Sequence, residues 1–285
     1  MTMQTKELRP EIRPAADCHF HIIDHACFPF PGDCGYTPRR EESGTFEELS
    51  ACFGAFGITH GVAVQPSGYG YDPAAMLDAL ARSGGSLKGI AMAPAGIGKA
   101  ELRRLADAGV VGLRFNLTDF DPGGLSHQEG RRLLMRILEL NWFAEVQCRA
   151  DDFPLAASLI AESGMRLLID HLGRPDPSRD VNQPGFQAIL RMADTGRATV
   201  KLSGAFRESR EPYPFRDMDP FVRALLAAYT PEHCIWGSDW PFINLTGKLH
   251  YRQAMSCLER WVPGEQDRGK ILWETPAKLF GFKRE

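Results

Sequence analysis

The sequence predicts an α/β protein, a (β/α)8 barrel of the TIM type, on three observations. Eight short apolar or β-rich runs recur along its 285 residues. A helical pattern follows each of them. No G-x-G-x-x-G follows the first run, as the rival doubly wound dinucleotide-binding sheet would want. Length agrees, since a chain of this size suits one large domain or two modest ones, and no break in composition marks a second. Residues 1–285 are therefore read as a single barrel domain with an N-terminal extension and a C-terminal helix.

The elements follow in order. The first run, 16–23, leads into a long connection over 25–44, rich in Pro, Gly and aromatics. In a barrel that connection lies on the active face and can cover it. The helix "TFEELSACFGAFG" starts on Thr45 as N-cap, with Glu48 three residues on, and closes on Gly57. The second run, 59–66, contains "GVAV" and precedes "DPAAMLDALARSG", where Asp72 caps and Pro73 opens the first turn. Runs 88–94, 110–117 and 143–148 alternate with "KAELRRLADAG", "SHQEGRRLLMRILELN" and "DDFPLAASLIAESG". Runs 167–171, 198–202 and 234–237 precede "PGFQAILRMADTG", "MDPFVRALLAAY" and "YRQAMSCLERWV". Most of these helices close on Gly or Asn. A final "ETPAKLFGF" is expected to pack on the barrel. Runs such as "VVGL" and "RLLID" are continuous rather than alternating, which suits parallel strands covered on both faces.

Composition narrows the class. The hydrophobic fraction is 44% and the charged fraction 24%, the balance of a soluble globular protein. Net charge is -3 and the pI about 6.3, so no general basic field recruits nucleic acid. An anion site must be built locally from a few arginines. The seven cysteines are scattered, odd in number and without a C-x-x-C pair, which points to a reducing compartment. The first residues lack the apolar core of a signal peptide, and no apolar run reaches membrane-spanning length. A cytoplasmic location, without membrane partner, is expected. No sequence feature sets an oligomeric state.

A barrel places its chemistry at the C-terminal ends of its strands. The first run supplies His19 and His21, whose spacing of two puts both on one face. The second ends in Gln65 and Ser67, the fourth in Arg114 and Asn116, and the fifth in Glu145, Gln147 and Arg149. The sixth offers Asp170, His171 and Arg174; the seventh Lys201, Ser203 and Arg207; the eighth Asp239. Each has a bland reading. H-x-H is common by chance, Arg174 with Asp176 makes an ordinary loop salt bridge, and Asp239 caps a turn. What carries weight is the convergence of H-x-H, a sixth-strand His and an eighth-strand Asp on one axis.

Together "DCHFH", "DHLGRPD" and "WGSDWP" resemble the amidohydrolase superfamily, and more narrowly its 2-pyrone-4,6-dicarboxylate lactonase group with the sugar-lactonase relatives. "HGVAVQPS" and "GLRFNL" are similar to the group's second and fourth strands, so the likeness spans nearly the whole chain. The resemblance implies a hydrolase that opens a lactone, with a small anionic lactone as partner. It implies Asp239 as the general base that takes a proton from water, with His19, His21 and His171 around the carbonyl oxygen. Arg114, Arg174 and Arg207 would hold substrate carboxylate. Tyr36 and Ser67 match substrate-contacting positions, and Gln147 joins that set. Two departures stand out: Phe242 replaces a His that often follows "DWP", and "FNLTDFDPGG" is acidic where the pyrone lactonase carries a further arginine.

The resemblance also raises a metal. Many members of the superfamily bind one with H-x-H, a strand-five His and the strand-eight Asp. Here the strand-five position holds Gln147, and no Lys ends strand four. A catalytic zinc usually wants three protein ligands and a water. His19, His21 and Asp239 are the candidates for zinc or manganese, but the favoured reading has no cofactor. A lactone carbonyl is already a good electrophile, and preorganised donors at the developing oxyanion contribute on the order of 3 kcal/mol each. A metal-dependent amidohydrolase or decarboxylase and a lactone isomerase are the alternatives.

Overall fold

Eight parallel strands in sequence order, β1-β2-β3-β4-β5-β6-β7-β8, form the sheet of the computed structural model. It describes residues 13–32, 34, 36–118, 120, 125, 128–245 and 249–284. The strands are β1 (Ala16–Phe20), β2 (His60–Val64), β3 (Leu87–Ala91), β4 (Val110–Asn116), β5 (Phe143–Gln147), β6 (Arg166–Ile169), β7 (Ala198–Leu202) and β8 (Cys234–Trp236). All eight predicted runs are therefore strands. The ring is completed between β1 and the segment after β8, where Asp239 N donates to His19 O at 2.7 Å and His21 N to Trp240 O at 2.8 Å. That seam also explains why β1 stops at Phe20 rather than at 23. Beyond Phe20 the backbone pairs with the post-β8 segment, and Ile23 bridges Gly44.

The helices lie where the periodicity predicts them: α1 (Phe46–Phe56), α2 (Ala74–Arg82), α3 (Lys99–Asp107), α4 (Gln128–Glu139), α5 (Phe153–Ser163) and α6 (Pro184–Arg191). After β7 come a single turn, α7 (Ala205–Glu208), and then α8 (Asp219–Tyr229). After β8 come α9 (Tyr251–Trp261), α10 (Glu265–Gly269) and α11 (Thr275–Phe280). Thr45 and Glu48 form the expected capping box on α1, and Gly57 ends it in the left-handed region at φ 69°. On α2 the boundary lies one residue later than predicted: Pro73, not Asp72, is the N-cap, and Asp72 before it accepts from Ala74 N at 3.0 Å. No helix among the described residues is long and apolar enough to cross a membrane. Residues 1–12, most of the predicted N-terminal extension, lie outside the described residues. So do 119 and 121–124 of the acidic loop, and 126–127 at the predicted start of α4.

The core has two parts. Between sheet and helices lies the larger cluster, in which Phe20 meets Phe53 of α1 edge to face at 5.3 Å. Burying a side chain of that size stabilises the fold by about 2–3 kcal/mol. Inside the barrel a smaller cluster forms a floor from Ala16, Cys18, Val62, Val64, Ile90, Phe143, Leu168 and Ile235. Trp273, Phe280 of α11 and Phe282 close that floor from below, which is the packing expected of the terminal helix. Above the floor the interior turns polar. The register of β1 shifts between Asp17 and Phe20, where Cys18 joins the floor and His19 the polar layer above it.

Candidate active site

His19, His21, His171 and Asp239 meet at the C-terminal mouth, all of them buried. β1 delivers His19, and His21 follows one residue past the strand end. The sixth-strand run stops at Ile169, and His171 opens a tight turn, His171–Gly173, with its own φ at 50°. Asp239 likewise sits in the left-handed region at φ 64°, a conformation that costs a non-glycine residue about 1–3 kcal/mol. Its backbone N–H is tied to His19 O, which holds that turn against β1. Next to it, any side chain at Gly237 would be driven into Cβ of His19. A Cβ on Gly204 would lie 2.5 Å from His171 Nδ1, so both glycines are set by close approach to an imidazole.

Asp239 anchors the cluster with one oxygen and leaves the other open. Oδ2 accepts from Arg207 Nε, carried by α7. Oδ1 has no hydrogen-bond partner among the described residues, nor does His19 Nε2, which faces it at 3.8 Å. His21 Nε2 lies 3.4 Å from the same Oδ1, and His171 Nε2 lies 3.8 Å from Oδ2. The far nitrogens of the rings are held differently. His21 Nδ1 meets Val64 O at 2.8 Å, His171 Nδ1 meets Ser203 Oγ at 3.0 Å, and His19 Nδ1 meets Lys201 Nζ at 3.0 Å.

Burial acts first on every ionisation here. It would raise the Asp239 carboxyl, but the Arg207 guanidinium, by its charge and its bond to Oδ2, outweighs it and holds Asp239 well below the usual carboxylate range. Burial pushes His171 down to about 3 and lowers His21. Burial and then the Lys201 charge push His19 well below its ordinary value. At neutral pH the cluster is thus a carboxylate among neutral imidazoles.

Beneath it lies a buried charged layer of Lys201, Glu145, Asp170 and Arg114, the last of which reaches the surface at one edge. Lys201 donates to Glu145 Oε2 and lies 3.1 Å from Asp170 Oδ1. Arg114 donates to Asp170 Oδ2 from Nε and Nη2, each at 3.2 Å, and to Gln147 Oε1. Burial and the neighbouring Asp170 push Glu145 up to about 7. Each of these charges stands at a strand end in the sequence. The signal was a charged residue inside an otherwise apolar run, "FAEVQ" and "ATVKL".

The remaining predicted residues are placed around this centre rather than in it. Arg174 donates to Glu208 at 2.6 Å, not to Asp176, and reaches Thr118 Oγ1 at 3.5 Å. Ser67 accepts from Asn116 Nδ2 at 2.8 Å. A narrow cleft runs beside Arg114 and Asn116, lined also by Tyr71, Met92, Phe115 and Phe120. Tyr36 is not brought to the cluster: its hydroxyl donates to Glu42 at 2.5 Å. Glu42 also accepts from Asn244 N at 2.7 Å, so it ties the first connection to the loop after β8. His25 stays on the first connection, with Nε2 on Arg39 O at 2.9 Å. Phe242, where a His is common, packs edge-on against Phe206 at 5.8 Å. Metal-ligand geometry exists on paper: His19, His21 and Asp239, or His19, Asp170 and His171, offer atoms within 4.8 Å of one another.

The profile of the amidohydrolase family matches residues 16–282. A 4-sulfomuconolactone hydrolase of Rhizobium radiobacter is 32% identical over 275 residues, covering 94% of this chain and 90% of its own. A 2-pyrone-4,6-dicarboxylate hydrolase of Comamonas testosteroni is 30% identical over 281 residues, covering 93% and 90%. A D-galactarolactone isomerase of Agrobacterium fabrum is 24% identical over 271 residues, covering 94% and 91%. Among solved structures, a Pseudomonas putida protein proposed to be a 2-pyrone-4,6-dicarboxylic acid hydrolase superposes with a TM-score of 0.87 at 32% identity, covering 95% and 98%. Two more distant barrels share the fold at 20% and 14% identity. An amidohydrolase of Burkholderia multivorans holds zinc, with a TM-score of 0.75, and a dihydroxybenzoic acid decarboxylase of Polaromonas sp. JS666 holds manganese, with a TM-score of 0.67.

Proposed function

The chain belongs to the amidohydrolase family, and from that premise we propose that it hydrolyses a small carboxylated lactone by Asp239-activated attack of water on the ring carbonyl. The observation that carries the reading is the facing pair at the mouth. Asp239 Oδ1 and His19 Nε2 are both buried, both without a partner among the described residues, and 3.8 Å apart. Buried polar atoms left open in this way are costly unless a ligand completes them.

In this mechanism Arg207 fixes Oδ2, so Oδ1 takes the proton of the attacking water. His21, whose Nδ1 donates to Val64 O, presents Nε2 as a second acceptor beside Oδ1 and helps aim that water. His19 and His171, whose ring centroids lie 4.5 Å apart, are assigned to the carbonyl oxygen as it gains charge. The water oxygen bonds to the carbonyl carbon, and the ring C–O bond breaks. The departing oxygen takes the proton from Asp239, and the new carboxylic acid ionises, releasing one proton to solvent. Arg114, Arg174, Gln147, Ser67 and Tyr36 are assigned to the substrate's periphery. The cleft beside Arg114 and Asn116 is assigned to the part of the molecule away from the ester.

The reading needs no metal. Gln147, at the position of a third ligating ring, is bound to Arg114, and the zinc and manganese barrels are too distant to transfer their ions. Should zinc or manganese bind, His19, His21 and Asp239 would hold it and it would supply Lewis-acid polarisation of the carbonyl. Purified protein offered a panel of pyrone, muconolactone and sugar-acid lactones should release protons with at least one of them. No proton release from any carboxylated lactone would overturn the proposal.

A further inference from the structure

Lys201 is fully buried at the end of β7, and its ammonium sits against three groups: Glu145, Asp170 and the His19 ring. An ammonium has three protons and no lone pair, so in each contact it can only donate. Its bond to His19 Nδ1, at 3.0 Å, therefore makes that nitrogen an acceptor. A neutral imidazole that accepts at one nitrogen carries its proton on the other. The proton of His19 then stands on Nε2, the atom without a partner that faces Asp239 Oδ1.

His21 is the opposite case. Its Nδ1 faces the carbonyl oxygen of Val64, which can only accept, so Nδ1 holds the proton and Nε2 the lone pair. That is the arrangement of a metal-ligating histidine, whose other nitrogen donates to a carbonyl or carboxylate. The two members of one H-x-H pair thus have inverted protonation. An acceptor for the reverse state of His19 is at hand, since Asp170 Oδ1 lies 3.2 Å from its Nδ1.

We propose that Lys201 is a positioning residue that fixes His19 in its Nε2–H form, which provides the donor for the lactone oxyanion and withdraws His19 from metal ligation. The oxyanion part rests on the proposed lactone hydrolysis; the tautomer and its effect on metal binding do not. Without Lys201, His19 turns its proton to Asp170 through Nδ1, and Nε2 becomes a ligand beside His21 Nε2 and Asp239 Oδ1.

The test is read on the full-length protein labelled with 15N-histidine, by long-range 1H–15N correlation, with His19 assigned by loss of its signals in His19→Gln. The expected wild-type pattern is a protonated Nε2 and an unprotonated Nδ1 for His19, with the reverse for His21. A protonated Nδ1 on His19 overturns the proposal with no further variant needed. In Lys201→Met the His19 pattern should invert, and metal-stripped protein titrated with zinc chloride should bind about ten- to a hundredfold more tightly than wild type. Lys201→Gln, whose amide can still donate to Nδ1, should keep the wild-type pattern and the weak zinc binding. If Lys201→Met does not fold, the Lys201→Met/Glu145→Gln pair removes the unpaired carboxylate and takes its place. Unchanged zinc affinity in the folded variant overturns the metal part. None of these readouts involves substrate, so a tautomer found as expected in a protein that opens no lactone would reject the lactonase reading and leave this one standing.

Discussion

Asp239 shows how one residue is divided between structure and chemistry. Oδ2 is held by Arg207 and Oδ1 is left open. Asp239→Asn should lower kcat by about 10²–10⁴ while lactone affinity, measured by calorimetry, changes little. Wild-type turnover in that variant would remove Asp239 from the mechanism. Arg174 shows a second division. Its guanidinium is engaged by Glu208 at 2.6 Å, and both side chains are largely buried. Glu208 therefore competes with a substrate carboxylate for the same cation. Glu208→Gln should lower KM for a dicarboxylated lactone several-fold more than for a monocarboxylated one, read as the ratio of the two KM values; an unchanged ratio would count against Arg174 as an anion clamp. His19, His21, His171 and Asp239 were legible in the sequence because residue type and strand-end position alone bring them to one axis. The partners of Arg174 and Tyr36 were not legible. Glu208 and Glu42 are loop and turn residues whose direction depends on local backbone that no periodicity encodes.

At the scale of elements, the seam between β1 and β8 does most to set the geometry. Asp17 is fully buried there, accepting from His19 N at 3.1 Å, Ser238 N at 2.9 Å and Tyr251 Oη at 2.8 Å. Burial, only partly offset by these bonds, pushes its carboxyl up to about 6. The folded form thus binds a proton more readily than the unfolded chain, so this group's stabilisation is full below about 4 and is lost as pH rises through about 6. The difference of roughly two pKa units corresponds to about 3 kcal/mol. Between pH 4 and pH 7, urea unfolding should therefore show wild type losing up to about that much stability relative to Asp17→Asn. A difference that does not move with pH would reject the assignment. The turn after β7 makes a second demand. Gly204 has φ 63° and lies against the His171 ring, so Gly204→Ala should cost about 1–3 kcal/mol of stability and displace the ring, lowering kcat more than it raises KM. Strands and helices were readable from apolar runs, caps and glycines. The register shift in β1 was not: it lies in the pairing of β1 with β2, between Asp17 and Phe20, and no apolar or helical pattern in the sequence encodes it.

At the scale of the whole molecule, the barrel interior is layered. The floor is apolar, the middle layer holds Lys201 and Arg114 against Glu145 and Asp170, and the top holds Asp239 among neutral imidazoles. The fold class, the strand order and the family were legible because a (β/α)8 barrel repeats one unit and its mouth collects strand ends. The layering was only half legible: the charges were visible at strand ends, but their pairing depends on contacts such as Lys201 with His19, 182 residues apart. The central claim is water attack on a lactone carbonyl by Asp239 without a metal. The most direct measurement is turnover of the active lactone in H₂¹⁸O by protein stripped of metal, with metal content verified and the product read by mass spectrometry. The account predicts undiminished turnover with one ¹⁸O in the newly formed carboxylate. Product without ¹⁸O, as a lactone isomerase would give, or activity that returns only on adding zinc or manganese, would contradict it.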